Sequence, residues 1–237
     1  MRKIDLHIHT VHSDSPLTVG EVARRAKRAQ VVAGICDHLS PYHKMFEPGA
    51  FDAYVADVRQ HHLPVGAEYC IGEEIPVDGE RLDRLDYLLG GVHAVTVDGG
   101  NYFFWGSTPP PEEEAFVESY LQATLAALAA DPLDVLAHPT YLPAPFADRY
   151  EEIWTDERCA ALWEAAAARD VAVEISGRWL VPRERQLRLA CDFGLTFAVG
   201  SDAHRAAELF NVAYPLAVIE RLGIPEERLF LPRPRPA

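Results

Sequence analysis

Histidine and acidic residues recur in short motifs along this chain of 237 residues. The first motif is Asp5-Leu6-His7-Ile8-His9-Thr10, and the last is Gly200-Ser201-Asp202-Ala203-His204. Between them lie Asp37-His38, Gly72-Glu73-Glu74, Gly91-Val92-His93 and Ala137-His138-Pro139. Neutral imidazole and carboxylate are side chains that bind zinc, manganese and iron, and one ion takes about three or four of them. Because the motifs offer more groups than one ion needs, we predict a cluster of two or three divalent metal ions.

These residues fall at the carboxyl ends of predicted strands. Apolar segments alternate with amphipathic ones along the chain, which is typical of strands that alternate with helices. The predicted strands are 2–9, 31–36, 65–75, 86–93, 134–138, 171–175 and 195–200. The predicted helices are 18–30, 51–61, 112–130, 156–169 and 183–193, with Thr18 as N-cap and Glu21 completing a capping box. Residues 98–111 are rich in glycine, aromatic residues and proline, and we predict no regular element there.

The alternation of strands and helices predicts a parallel sheet with helices outside it. A closed α/β barrel carries its active site at the carboxyl ends of its strands, whereas an open sheet binds ligands at one switch point. Nearly every predicted strand ends in a metal-type residue, and such residues converge only if the strands form a ring. We therefore predict an α/β barrel of seven strands, followed by a loosely ordered tail from about residue 231.

The composition is that of an ordinary globular protein with an acidic surface. The net charge is −14, from 22 basic and 36 acidic residues, which makes binding to nucleic acid an unfavoured function because phosphates need a basic stripe. Bound divalent cations would offset this charge locally, so an anionic substrate is compatible with it. The four cysteines form no Cys-x-x-Cys pair. We find no signal peptide and no apolar run of about 20 residues, and we expect a cytoplasmic protein without a membrane span.

The motifs together resemble those of the PHP family, named for polymerase and histidinol phosphatase. The motifs that carry the resemblance are Asp-x-His-x-His-Thr at 5–10, Asp-His at 37–38, Gly-x-Glu at 72–74, the isolated His93 and His138, and Gly-Ser-Asp-Ala-His at 200–204. The resemblance spans residues 4 to about 205. It implies a single PHP-type domain over 1–237 with a distorted seven-stranded (β/α)7 TIM-like barrel, a metal cluster that is commonly trinuclear, and hydrolysis of phosphoesters.

The resemblance also implies a set of metal ligands, carried over motif by motif. The implied ligands are His7, His9, Glu74 and Asp202 for a first ion, Glu74, His93 and His138 for a second, and Asp14, His38 and His204 for a third. Glu74 is preferred to Glu73 because the acid of the family follows its glycine by two residues, and Glu74 then bridges two ions. Asp14 is preferred to His12 because Thr-x-x-Ser-Asp is the usual form of that motif.

Residues next to these ligands are expected to support them or to lie apart from them. Asp5 and Asp37 precede ligands, so we expect their carboxylates to accept hydrogen bonds from imidazole N–H groups. The histidines that lie away from the strand ends, and that we interpret as ordinary surface residues, are His43, His61 and His62.

The predicted reaction is hydrolysis of a phosphoester of a small molecule by metal-activated hydroxide. A metal-bound water ionises near neutral pH, so no protein nucleophile is needed, and Asp202 or His204 is expected to accept or return a proton. Arg178 matches the position of the phosphate-contacting arginine of the family's histidinol phosphatases, and Arg205 is a second candidate clamp. Those phosphatases carry another arginine shortly after the fifth-strand histidine. This chain departs from that pattern, which argues against histidinol phosphate as the substrate.

Three other functions fit parts of the pattern. A nuclease-type phosphodiesterase is disfavoured by the net charge and by the scarcity of lysine, since the lysines are Lys3, Lys27 and Lys44. An amidohydrolase-like ester or amide hydrolase usually has a carboxylated lysine at a strand end, and this chain has no lysine at such a place. A non-catalytic accessory domain is disfavoured by the complete ligand set. The aromatic residues of 102–105 are expected either to wall or cover the leaving group or to pack over the barrel rim.

Overall fold

The computed structural model describes residues 2–43, 45 and 47–232. The strands are β1 (Ile4–Asp5), β2 (Val32–Ala33), β3 (Ile35–His38), β4 (Val65–Cys70), β5 (Tyr87–Gly91), β6 (Ala94–Val97), β7 (Gly100–Phe103), β8 (Val135–Leu136), β9 (Ala172–Ser176) and β10 (Phe197–Gly200). The helices are α1 (Val19–Ala29), α2 (Ala50–Gln60), α3 (Gly79–Leu82), α4 (Glu113–Ala130), α5 (Tyr150–Ile153), α6 (Asp156–Ala168), α7 (Glu184–Asp192) and α8 (Ala213–Leu222). The predicted looseness of the tail concerns mainly residues 233–237, which lie outside the described residues.

A curled parallel sheet organises the described part of the chain. Six strands pair in the order β10-β9-β8-β5-β4-β3, and β1 pairs in parallel with β2. The segment that follows β1 donates from Leu6 N to Val199 O (2.8 Å) on one side and accepts from Cys36 N at Ile8 O (2.8 Å) on the other. It therefore links the two ends of the six-stranded sheet. The predicted α/β architecture is confirmed, and its form is consistent with a TIM-like barrel.

Helix α1 begins where its capping residues predict. The Thr18 side chain accepts a hydrogen bond from Glu21 N at 3.2 Å, which satisfies one of the free N–H groups of the first turn. Val19, Val22 and Ala26 are buried on one side of the helix. This spacing places them on the face that covers the sheet.

An antiparallel hairpin interrupts the alternation of parallel strands and helices. Strands β6 and β7 pair from Ala94–Phe103 to Val97–Gly100, so the prediction of no regular element over 98–111 is wrong for its first residues. The turn consists of Asp98 and Gly99, both with positive φ (51° and 77°). Asp-Gly is a favoured pair for such two-residue turns.

Strand β4 is shorter than the apolar pattern of 65–75 predicts. It ends at Cys70, and the chain then turns through Gly72, whose φ is +94°. Ile71 and Ile75 extended the apolar pattern past the real end of the strand because both pack on the core from outside the sheet. This difference in the strand end changes which acidic residue reaches the site.

The core lies between the sheet and its helices and is filled by large side chains. Tyr87 is fully buried, and its hydroxyl donates to Leu6 O at 2.7 Å. Its ring occupies the space beside Gly34 and Gly66, where a Cβ would overlap it. None of the helices in the described residues combines the length and the hydropathy that a membrane span requires.

We expect Gly66→Ala to lower the free energy of unfolding by about 1–3 kcal/mol, because its methyl group would overlap the buried ring of Tyr87. Urea denaturation followed by circular dichroism measures the change. Gly79→Ala is the matched control, because a Cβ at that position in α3 meets nothing within 4 Å. Unfolding of the Gly66→Ala variant at the urea concentration of the parent protein would contradict this account of the packing.

Candidate metal centre

Imidazoles and carboxylates from distant parts of the chain meet at the carboxyl ends of the strands. Three groups have ligand atoms that all lie within 4.8 Å of one another. The groups are His9, Asp14, His38 and His204; His7, His9 and Glu68; and Glu68, His93 and His138. Asp202 adjoins them, since its Oδ1 lies 3.3 Å from His9 Nε2. The structure thus brings together every metal-type residue that the sequence predicts except Glu74.

Glu68 lies between two of these groups and presents one carboxylate oxygen to each. Its Oε2 lies 3.3 Å from His7 Nε2 and 3.1 Å from His38 Nδ1. Its Oε1 lies 3.3 Å from His93 Nε2 and 3.0 Å from His138 Nε2. The side chain is 1% exposed. This geometry is that of a carboxylate that can bridge two cations.

The sequence prediction assigned this bridging position to Glu74, and the structure corrects it. Glu74 is exposed and lies past the end of β4, so its side chain does not reach the imidazoles. Glu68 lies within β4 and belongs to a second Gly-x-Glu, Gly66-Ala67-Glu68. Both motifs satisfy the spacing, and the end of the strand decides which acid faces the site.

Space for the Glu68 carboxylate depends on a glycine in the neighbouring strand. A Cβ at Gly91 would lie 2.7 Å from Glu68 Oε1 and 2.9 Å from His138 Cε1. Real side chains do not make such contacts, so only glycine leaves room for the carboxylate and the imidazole side by side.

Glu174 is a buried acid that the sequence prediction did not include. Its Oε1 accepts from His7 Nδ1 at 2.7 Å, and its Oε2 accepts from the backbone N of His138 at 2.5 Å. The first bond holds a proton of His7 on Nδ1, so Nε2, which faces Glu68, is the ring nitrogen that can bind a metal ion. The signal in the sequence was an acidic residue inside the apolar strand β9.

The side chains near β10 are also oriented by neighbours. Trp179 Nε1 donates to Asp202 Oδ2 at 2.7 Å, while Asp202 Oδ1 lies 3.4 Å from His204 Nδ1. Asp14 Oδ2 lies 3.3 Å from His204 Nε2. Asp202 and His138 both have positive φ (51° and 29°), a conformation that is uncommon for residues other than glycine.

The sequence predicts that the carboxylates of Asp5 and Asp37 accept hydrogen bonds from imidazole N–H groups. In the structure they accept from backbone N–H and hydroxyl groups instead. Asp37 accepts from Thr10 N and Thr10 Oγ1, both at 2.6 Å, and so orders the loop that leads to Asp14. Asp5 accepts from Ser201 N at 2.8 Å, which ties β1 to the segment that carries Asp202. Burial raises the pKa of Asp5 to about 6, although hydrogen bonds from Ser201 oppose this shift.

The charges of the site are mutually dependent. Burial would raise the pKa of Glu68, but the imidazoles of His7, His93 and His38 hold it well below its usual range. Burial opposes protonation of His93, but the Glu68 carboxylate outweighs it and raises the pKa of His93 to about 10. Burial favours the neutral form of Asp202, yet the charge of His7 keeps the pKa of this carboxyl below its ordinary value. The carboxylates of Glu68 and Asp202 therefore stay ionised and need positive charge beside them.

The site has the unsatisfied polar atoms that metal ions would satisfy. His7 Nε2, both ring nitrogens of His9 and His138 Nδ1 are buried without a hydrogen-bond partner. Buried polar atoms are almost always paired, because leaving one unpaired costs about 1–3 kcal/mol. His7 Nε2 lies 3.3 Å and His9 Nε2 lies 3.6 Å from Glu68 Oε2, inside the group that these three residues form. Imidazole and carboxylate together suit zinc, manganese and iron, so the residues present fit a metal cluster.

A cavity of about 540 Å³ opens over these groups. Arg178 lines it, donates to Asp202 O at 3.0 Å and lies 2.8 Å from His204 Nδ1. Arg205, the second predicted clamp, is exposed and is not among the residues that line the cavity. His204, the residue before it in the chain, lines the cavity instead.

His43 lines the same cavity, which corrects its interpretation as a surface residue. Its ring stacks on that of His38 with centroids 4.4 Å apart, and its Nδ1 is buried without a hydrogen-bond partner. His12 is 2.9 Å from Asp57 Oδ2, outside the metal-type groups. His61 is half-buried near Asp57, and His62 is exposed.

The chain is similar to known phosphatases in sequence and in structure. No protein-family model matches it. It is 26% identical over 245 residues to "Probable phosphatase YcdX" of Escherichia fergusonii, covering 97% of this chain and 89% of the relative. A "Probable phosphatase" of Citrobacter koseri is also 26% identical, over 253 residues with the same coverage. The predicted resemblance to the PHP family is confirmed.

A solved structure has the same fold. Histidinol phosphate phosphatase of Lactococcus lactis, crystallised with zinc, L-histidinol and phosphate, matches with a TM-score of 0.67. The match covers 94% of both chains at 17% sequence identity.

We expect Glu68→Gln to lose bound metal, whereas Glu74→Gln keeps the metal content of the parent protein. The amide removes the charge that faces both groups, and loss of one supporting interaction at a metal site already weakens binding by about 10- to 100-fold. Elemental analysis by mass spectrometry after dialysis measures the ions per chain. Loss of metal from Glu74→Gln with full retention in Glu68→Gln would restore the sequence assignment.

We also expect Glu174→Gln to weaken metal binding by about 10- to 100-fold while the protein stays folded. The amide still accepts one hydrogen bond but no longer fixes the tautomer of His7 by charge. Competition with a chromophoric chelator measures the affinity, and circular dichroism monitors the fold. Unchanged affinity in this variant would show that Glu174 has a packing role only.

Proposed function

We propose that this protein is a metal-dependent hydrolase that cleaves phosphoesters of a small molecule. The observation that carries the proposal is the shared position of Glu68 between two metal-type groups, beside an arginine in an open cavity. The names of the two curated relatives support a phosphatase activity. The zinc and phosphate in the structural neighbour support the same chemistry.

The proposed centre holds two or three divalent ions of zinc, manganese or iron. The proposed ligands are His7, His9, Glu68 and Asp202 for one ion, Glu68, His93 and His138 for a second, and Asp14, His38 and His204 for a third. The assignment keeps the sequence prediction with Glu68 in place of Glu74. Bound ions of this kind neutralise phosphoryl oxygens and lower the pKa of a water molecule toward neutrality.

Side chains around the centre bind the substrate and move the proton. Hydrolysis joins a water oxygen to phosphorus and breaks the ester P–O bond, whose oxygen leaves with the electron pair and takes up a proton. Arg178 binds the phosphoryl oxygens, since its guanidinium suits a planar pair of contacts with an anion. Asp202 and His204 lie within 3.4 Å of each other and are the proposed pair that moves the proton. Trp179 keeps Asp202 Oδ2 occupied and directs Oδ1 toward the site.

We propose further that the chain is one domain whose strands close into a ring of seven. The support is the segment after β1, which bonds to Val199 on one side and to Cys36 on the other. If β2 and β3 form one strand interrupted at Gly34, this segment adds the seventh member to the six-stranded sheet. A closed ring accounts for convergence of ligands from nearly every strand.

We expect the purified protein to hydrolyse p-nitrophenyl phosphate when loaded with manganese or zinc, and to lose this activity after dialysis against a chelator. Release of p-nitrophenol measures the rate. Restored activity after the metal is returned is the control for unfolding during dialysis. A fully metallated sample that cleaves no phosphate ester would overturn the proposed function.

We expect Arg178→Ala to lower kcat/KM by about 10- to 100-fold, because a charge-assisted hydrogen bond contributes about 1.5–3 kcal/mol. Arg178→Lys should recover only part of this loss, since an ammonium cannot make the paired contact. Arg205→Ala is the matched control, because the same change occurs outside the cavity. Equal effects of Arg178→Ala and Arg205→Ala would remove the assigned role of Arg178.

A further inference from the structure

The exposed aromatic side chains of the described residues are concentrated at one place. Among large hydrophobic residues, those that are aromatic and exposed are Tyr42 (70%), Phe103 (40%) and Trp105 (57%). All three line the cavity over the metal-type groups. Exposure of large aromatic rings to water is unfavourable, and a contiguous group of them is typical of a binding surface.

Strand β7 and the turn after it carry four aromatic residues, of which two pack in the core and two line the cavity. Side chains alternate between the two faces of β7, which ends at Phe103, and Phe104 and Trp105 follow it in a turn. Tyr102 and Phe104 are buried and pack near Phe116 with centroids 6.2 Å and 5.6 Å away. Phe103 and Trp105, the residues that follow each of them in the chain, line the cavity. The buried rings of Tyr102 and Phe104 therefore fix the backbone that carries Phe103 and Trp105.

Trp105 is held by other aromatic rings. Its ring stacks on Tyr141 with centroids 5.7 Å apart, and it lies 5.9 Å from Trp179 and 5.6 Å from His93. Tyr141 in turn lies 4.5 Å from Trp179, whose indole N–H holds Asp202. A ring held in this way loses little conformational entropy when a second ring stacks on it. A continuous series of contacts therefore leads from Trp105 through Tyr141 and Trp179 to Asp202.

The cavity has other polar groups besides the metal-type residues. Those that the structure describes are Ser40, the Tyr42 hydroxyl, His43, the Cys70 thiol, Glu73, Arg178 and the indole N–H of Trp179, which donates to Asp202. Ser40 Oγ already donates to Glu73 Oε2 at 3.0 Å. The carboxylate of Glu73 repels a leaving group with its own negative charge.

We propose that the cavity selects phosphate esters whose leaving group is a flat aromatic ring without negative charge. The proposal rests on the proposed phosphoesterase function. The ring stacks on Trp105 and lies beside Phe103 and Tyr42, while Arg178 and the metal-type groups receive the phosphoryl end. Water is displaced from apolar surface on both partners, which stabilises the complex.

The test compares benzyl phosphate with cyclohexylmethyl phosphate. The two alcohols are similar in size and acidity, so the intrinsic reactivity of the esters is matched and only the flat π-system differs. We expect the manganese-loaded protein to favour benzyl phosphate by about three- to tenfold in kcat/KM, as ring pairs contribute about 0.5–1.5 kcal/mol beyond area burial. Titration calorimetry with benzylphosphonate and cyclohexylmethylphosphonate measures the same preference in binding, without turnover.

The variants Trp105→Leu and Trp105→Phe assign the preference to the ring. We expect Trp105→Leu to abolish the preference for the aromatic ester and phosphonate, and Trp105→Phe to retain it in part. Leu231→Ala is the control for loss of an exposed apolar side chain outside the cavity lining. It should leave both preferences unchanged.

The outcomes separate this inference from the proposed function. If both esters are hydrolysed with equal kcat/KM and both phosphonates bind equally, the phosphoesterase stands and the aromatic selectivity is overturned. The same holds if the preference survives Trp105→Leu unchanged. If neither ester is cleaved by metal-loaded protein and neither phosphonate binds, the proposed function fails and the selectivity fails with it.

Discussion

The Glu68 carboxylate is fully enclosed, and five imidazoles from different parts of the chain point at it. A buried carboxylate costs several kcal/mol unless positive charge compensates it. His7 and His93, whose pKa values the neighbouring carboxylates raise, supply that compensation in the polypeptide itself, and divalent cations would supply it more strongly. Gly91 in the neighbouring strand leaves room for this carboxylate beside the rings of His138 and His93. The curl of the sheet and the convergence of its strand ends are what bring these groups within reach of one carboxylate.

A second layer of contacts gives the centre its rigidity. Glu174 orients His7 and at the same time accepts from the backbone of His138, so one acid positions residues from two other strands. Asp37 orders the loop that leads to Asp14, and Asp5 ties the first strand to the last. None of these three acids lines the cavity, which leaves Asp14, Glu68 and Asp202 as the carboxylates directed at a bound cation. The division between the two sets of acids follows from where each lies along its strand.

Much of the architecture was predictable because it repeats. Alternating apolar and amphipathic segments predict strands and helices, and Thr18 with Glu21 correctly predicts the start of α1. The hairpin was missed although Asp98-Gly99 is a strong turn signal, because proline and glycine further along 98–111 obscured it. His43 was taken for a surface residue because it follows no strand, yet a loop returns it to the cavity. Loops are set by tertiary packing and leave no periodic pattern in the sequence.

The sequence by itself determined the kinds of chemistry available and the end of the sheet where they collect. Residue types at successive strand ends are readable because parallel strands place those ends on one side. Only the tertiary structure decided between Glu68 and Glu74, since both follow a glycine by two residues. Side-chain direction in a strand reverses at every residue and is lost where the strand stops. The stop of β4 at Cys70 depends on the turn at Gly72 and on neighbouring strands, which local sequence does not contain.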